Sequence, residues 1–135
     1  MTGKRRRSAV AVPGLTGEVV ADTAQDMAHR LGLKVARFPK VLVTYPGAPA
    51  PRWLSPVKAD GKGWLDMFII DPLGGGVLVR EAKGDKESLT AEQRDWIAWW
   101  QANGFDVGIW KPADLRSRRI EQELKGLVAA RPRAA

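Results

Sequence analysis

The sequence predicts an α/β fold, a mixed β-sheet flanked by helices, on three observations. Apolar runs at residues 67–70 and 77–79, within strands expected over 64–71 and 77–83, flank Pro72-Leu73-Gly74-Gly75-Gly76, the pattern of an antiparallel hairpin around a glycine turn. Residues 77–83, a capped helix from Thr90 and the run 105–110 form a strand–helix–strand unit, whose strands should be parallel across a right-handed crossover. Val20, Ala24, Met27 and Leu31 recur at helical spacing, so an earlier helix should pack one face inward.

In chain order, residues 1–15 read as a flexible basic arm carrying Lys4-Arg5-Arg6-Arg7. Thr16 is placed to cap a helix that ends near Leu31, with Gly32 as its terminating glycine. Residues 33–38 and 41–45 form short strands separated by Pro39. Between residues 46 and 63, Pro46, Pro49, Pro51, Pro56, Gly61 and Gly63 predict a long loop without regular structure, carrying Arg52, Trp53, Lys58 and Lys62. Loops of that length in a compact domain are usually functional or disordered. After the hairpin, residues 84–89 are a charged loop. Thr90-x-x-Gln93 matches a capping box for a helix to about Ala102, ended by Asn103-Gly104. A last helix over 112–128 should turn Ile120, Leu124 and Leu127 inward, leaving 129–135 as a basic tail.

Composition narrows the chemistry. A chain of 135 residues is one domain with room for a core. It has no cysteine, which excludes disulfides and thiolate metal sites, and its one histidine, His29, makes multi-histidine sites improbable. Metal chemistry would therefore use oxygen ligands, favouring magnesium or manganese. Twenty-two Lys and Arg against fifteen Asp and Glu give a net charge of +7, which suits a polyanionic partner. No apolar run approaches the ~20 residues a membrane helix needs, so we expect a protein without membrane association, in the cytoplasm.

The chemistry concentrates in Asp66, Glu81 and Lys83. Alternation along a strand projects Glu81 and Lys83 from one face and Arg80 and Ala82 from the other. Asp66 lies on the neighbouring strand, in a register that sequence leaves open. Two carboxylates, a backbone carbonyl and waters satisfy magnesium's oxygen preference, and a lysine beside them can orient water or steady charge on a phosphate. The competing reading is a surface ion pair on a solvated strand. Gln93, in the first turn of the next helix, is placed both to complete the capping box and to point back at this face.

Gly63-Trp64-Leu65-Asp66-Met67-Phe68-Ile69, then Val79-Arg80-Glu81-Ala82-Lys83-Gly84, then Leu89-Thr90-Ala91-Glu92-Gln93-Arg94-Asp95-Trp96 resemble the VRR-NUC group. That group is the virus-type replication-repair nuclease branch of the PD-(D/E)XK superfamily. Residues 103–110 and 112–115 are similar to its closing strand and helix, and the resemblance spans about 63–124. It implies a restriction-endonuclease-like sheet and a magnesium- or manganese-dependent nuclease. Asp66 and Glu81 would be metal ligands, with the Ala82 carbonyl in the metal shell, Lys83 the catalytic lysine and Gln93 an additional motif residue. An upstream glutamate often joins the site in this group. Glu18 is the candidate here, and it is equally placed as an acid favourable to its helix dipole. Leu65 stands where the group usually has proline, a position that ligates nothing.

Small stand-alone members of the group resemble phage-encoded enzymes acting as homodimers on four-way DNA junctions. The resemblance therefore implies a structure-selective endonuclease for branched DNA, placed in the cytoplasm of a bacterial host if phage-encoded. Rival readings are a flap, nicking or restriction-type nuclease, and a non-catalytic DNA-binding protein on the same fold. Phosphate contacts are expected from Arg5, Arg6, Arg7, Arg52, Lys58, Lys62, Lys86, Arg94, Arg116, Arg118 and Arg119, in a salt-dependent and largely sequence-independent manner. Among six tryptophans, Trp96 and Trp100 should pack on the sheet while Trp99 faces elsewhere. Trp53 either stacks on an unpaired base or anchors its loop by burial.

Overall fold

A computed structural model describes residues 15–54 and 56–133, so Arg5, Arg6 and Arg7 lie outside the described residues. Helix α1, Gly17–Arg30, begins where the Thr16 hydroxyl accepts from Val19 N–H at 3.2 Å. Glu18 in its first turn and His29 and Arg30 in its last complement the helix dipole. Val20, Ala21, Ala24 and Ala28 are buried, with Met27 and Leu31 packed beside them. Gly32, at φ +77°, carries the chain out of the helix.

Strands β1 (Lys34–Arg37), β4 (Met67–Ile70), β5 (Val77–Ala82) and β6 (Asp106–Trp110) form the main sheet in the order β1-β4-β5-β6. The first two pairings are antiparallel, and β5 pairs parallel to β6, making a mixed sheet. Helix α2, Ala91–Ala102, connects β5 to β6. The expected capping box is present: Thr90 Oγ1 accepts from Gln93 N at 3.1 Å, and Gln93 Oε1 from Thr90 N at 3.0 Å.

The two faces of the sheet differ. Met67, Ile69, Leu78 and Ala82 join Val20, Ala24, Trp110, Ile120 and Leu124 in the aliphatic core beneath α1 and the C-terminal helices. Each fully buried aliphatic side chain there is worth roughly 1.5–3 kcal/mol. The other face carries aromatic packing. The Trp64 ring lies 5.5 Å from Phe68, 4.8 Å from Trp96 and 5.5 Å from Trp100. Trp96 and Trp100 thus pack toward the sheet, while Trp99 is 53% exposed.

Two expectations are corrected. Residues 46–63 contain a strand, β3 (Arg52–Leu54), which pairs antiparallel with β2 (Val41–Val43) outside the main sheet. Pro51 precedes this strand and Pro56 follows it, so no proline occupies a ladder position. The last helix is not continuous over 112–128. It divides into α3 (Pro112–Arg116) and α4 (Arg119–Ala129), with Arg118 left-handed at φ 65° between them. After the break, α4 buries Ile120, Leu124 and Leu127 and brings Glu123 to Arg80 and to the Trp110 indole N–H. Beyond α4, Arg131 forms two hydrogen bonds to buried Asp71, fastening the chain to the β4–β5 turn.

No helix among the described residues is long and apolar enough to cross a membrane.

Candidate functional site

The hairpin register decides where the acids meet. Met67 pairs with Arg80, so the next position in each strand sets Asp66 opposite Glu81. Opposed residues of an antiparallel pair project to one face. Each carboxylate also bonds the other strand: Asp66 N–H donates to Glu81 Oε1, and Ala82 N–H to Asp66 Oδ1, both at 3.2 Å.

Glu81 is held at its second oxygen too. Gln93 Nε2 donates to Glu81 Oε2 at 3.0 Å, and Lys83 Nζ lies 3.5 Å from the same atom. Glu81, Lys83 and Gln93 are all buried, whereas Asp66 is partly exposed. Gln93 combines the two roles that its position offers, since its side-chain oxygen completes the helix cap while its nitrogen reaches the acid. Gly63 makes this approach possible. At φ +84° it passes so close to α2 that an added Cβ would sit 2.8 Å from Gln93 N.

Asp66, Glu81 and Lys83 open into a cavity of about 420 Å³, whose walls include Glu18, Arg37, Lys40, Trp53 and Glu87. Burial, reinforced by repulsion from Glu81, pushes the Asp66 carboxyl up to about 7. Burial also raises Glu81, opposed by the charges of Lys83 and Lys40. Two acids this close resist ionising together, which is the electrostatic condition a cation relieves.

The donor set fits a hard divalent cation. Asp66, Glu81 and the Ala82 carbonyl offer oxygen alone, and magnesium accepts few protein ligands while retaining waters. Gly17 leaves room at that carbonyl: a Cβ built there would lie 2.6 Å from Ala82 O. Among the described residues, no three Asp, Glu, His or Cys side chains form a metal-binding group. Glu18 lines the cavity without completing such a trio.

Other expected contacts disperse. Arg52, Trp53 and Lys62 line a second cavity next to the first. Lys58, Lys86, Arg94 and Arg116 are exposed on the surface. Arg118 pairs with Glu121 at 2.9 Å, and Arg119 with Asp114 at 3.3 Å and also with Glu123, so the C-terminal basic cluster is partly neutralised by its own helices.

Sequence reasoning missed Arg37, Lys40 and Glu87. Arg37 bonds Asp22 and Gln25 on α1 and reaches the cavity wall. Glu87 accepts from Gly84 N–H at 2.7 Å and Gly17 N–H at 3.1 Å, tying α1 to the end of β5. Burial alone would raise its carboxyl, but those two N–H groups together with the charges of Lys83 and Lys40 outweigh it and hold it below the usual range. The charged loop 84–89 was visible in sequence, but nothing local singled out Glu87.

Compared with known proteins, the chain matches no family model, no curated protein and no solved structure.

Proposed function

We propose that this chain is a divalent-metal-dependent DNA endonuclease of the VRR-NUC type, with a restriction-endonuclease-like arrangement of its sheet. The observation that carries this reading is the placement of Asp66 opposite Glu81, where the Glu81 carboxylate accepts from Asp66 N–H and the Asp66 carboxylate from Ala82 N–H, with Lys83 and Gln93 both engaging Glu81. Asp66, Glu81 and the Ala82 carbonyl would hold magnesium or manganese. The ion would neutralise charge on the scissile phosphate and acidify water in the site.

The protein's own groups have distinct tasks. Lys83 orients the attacking water or steadies phosphate charge from within a buried setting, where such interactions are strong. Gln93 fixes the Glu81 carboxylate, and Gly17 keeps the Ala82 carbonyl open. Arg37 and Lys40 set positive charge on the cavity wall, and the net charge of +7 favours a polyanion. Hydrolysis would leave a 5′-phosphate and a 3′-hydroxyl.

Branched DNA is the substrate we assign, four-way junctions first, because a homodimer of a single-module nuclease places two symmetric cuts. Incubating the protein with labelled junction, flap and linear duplex, with and without magnesium, tests this. Symmetric paired nicks on the junction are expected. Cutting confined to flaps or linear duplex would move the assignment to the rival nuclease classes. DNA binding without cutting in either magnesium or manganese would leave only a binding protein.

A further inference from the structure

The β2–β3 hairpin stands apart from the main sheet and presents a large aromatic ring to solvent. Trp53 is 65% exposed, and Leu42, opposite it in the ladder, is 53% exposed. This rules out the expectation that Trp53 anchors its loop by burial. An exposed indole on a short hairpin does little for a core, and such side chains recur at binding surfaces.

Its position gives the exposure a purpose. Trp53 lines both the cavity containing Asp66 and Glu81 and a second cavity of about 540 Å³. Cavities of that size lie within the usual range for ligand sites, roughly 300–1,000 Å³. Lys40, Arg52 and Lys62 line the second cavity, and Gln93 belongs to its wall while bonding Glu81. The two spaces therefore share Lys40 and Trp53 as a partition. Glu92 is the acidic member of the wall. Its contact with Lys62, at 3.8 Å between exposed side chains, is one that a phosphate can displace.

We propose that the second cavity is a nucleotide subsite that takes one unpaired base on the Trp53 indole, with the adjoining phosphates on Lys40, Arg52 and Lys62. This deepens, and rests on, the nuclease reading of Asp66 and Glu81, since it places the unpaired nucleotide beside the bond to be cut. Stacking needs a free base face, which a continuous duplex does not offer along its length. The subsite thus selects DNA that presents an unpaired nucleotide, at a flap, a gap or a junction whose central pairs have opened, over uninterrupted duplex, without reading base identity.

The test uses the full chain in EDTA, so that binding is measured without cutting. Two fluorescein-labelled DNAs are titrated: a duplex, and the same duplex interrupted by an unpaired segment carrying 2-aminopurine. Wild type should bind the interrupted DNA more tightly and quench the 2-aminopurine emission. Trp53→Ala should weaken that binding roughly tenfold, far more than it weakens duplex binding, and abolish quenching. Trp53→Phe should retain both, and circular dichroism melts establish that each variant is folded.

Equal weakening on both DNAs, or none on either, overturns the subsite. So does a Trp53→Ala protein that binds DNA normally but changes its sedimenting mass, which would assign the hairpin to self-association. A parallel manganese cleavage assay separates the two readings. Quenching without any cutting defeats the nuclease assignment alone. Cutting by Trp53→Ala with the wild-type preference between the two DNAs defeats the subsite alone.

Discussion

Gln93 and Glu81 are joined by a 3.0 Å side-chain hydrogen bond between two residues exposed by only 2% and 3%. The same glutamine caps α2, so one residue couples helix geometry to the orientation of an acid at the site. Thr90→Ala removes only the cap and should destabilise by about 1 kcal/mol. Gln93→Ala also strips a donor from a buried carboxyl, a loss of roughly 1.5–3 kcal/mol. Thermal melts of the two variants, with manganese titrations alongside, check the distinction: manganese affinity should fall in Gln93→Ala and stay near wild type in Thr90→Ala.

The raised Asp66 carboxyl predicts a pH signature for metal binding. With its folded value near 7, against 3.8 for the unperturbed group, the metal-free protein holds a proton there in mild acid. Ionisation is disfavoured in the folded state, so this group lowers stability as pH rises from about 4 through 7. A cation must displace that proton, so manganese affinity should climb up to about pH 7 and then level off. Calorimetric titrations between pH 5.5 and about 8.5 test this, and affinity independent of pH would contradict it. Asp66→Asn should abolish metal binding and DNA cutting, retain DNA binding, and remove this contribution to the pH dependence of melting.

Two glycines make opposite forecasts. A methyl at Gly17 would lie 2.6 Å from Ala82 O and 3.2 Å from Glu87 Oε1, so Gly17→Ala should push α1 away from β5 and weaken both stability and manganese binding. Gly126 sits inside α4 with nothing within 4 Å of an added Cβ. Gly126→Ala should therefore stabilise by roughly 0.5–1 kcal/mol without altering metal affinity. Denaturant melts and calorimetry on the pair separate backbone entropy from crowding at the site.

The Asp71–Arg131 pair governs acid behaviour. Hydrogen bonds from Arg131, joined by Leu73 and Gly75 N–H groups, hold the Asp71 carboxyl down to about 2. A depressed acid contributes stability above its unfolded value, here 3.8, and loses it as pH falls through about 2. Arg131→Ala should lower the melting temperature at neutral pH, with the gap to wild type closing in acid. A gap that persists unchanged at pH 2 would exclude the ion pair as its source.

Local signals explain how much was legible beforehand. Thr16, Thr90 and Gln93 announced their helix starts because caps involve neighbours three residues apart. The Gly74-Gly75-Gly76 turn announced the hairpin, and strand alternation put Glu81 and Lys83 on one face. Alternation alone could not tell which residue of β4 would oppose Glu81. The strand at Arg52–Leu54 escaped because its partner is β2, beyond a proline-rich turn, and Pro51 and Pro56 on either side argue against regular structure. The break at Arg118 escaped because neither glycine nor proline marks it.

By itself, then, the sequence determined the succession of helices and strands apart from β3 and the break at Arg118, and supplied the acids, lysine and glutamine from which a site could be built. Only the tertiary structure decided that Asp66 opposes Glu81, that Arg37, Lys40 and Glu87 border the same cavity, and that Trp53 faces solvent between two cavities. The physical reason is range. Caps, turns and alternation are set by atoms a few residues apart, whereas register and cavity walls are set by packing between segments far apart in the chain, whose free energy no local pattern encodes.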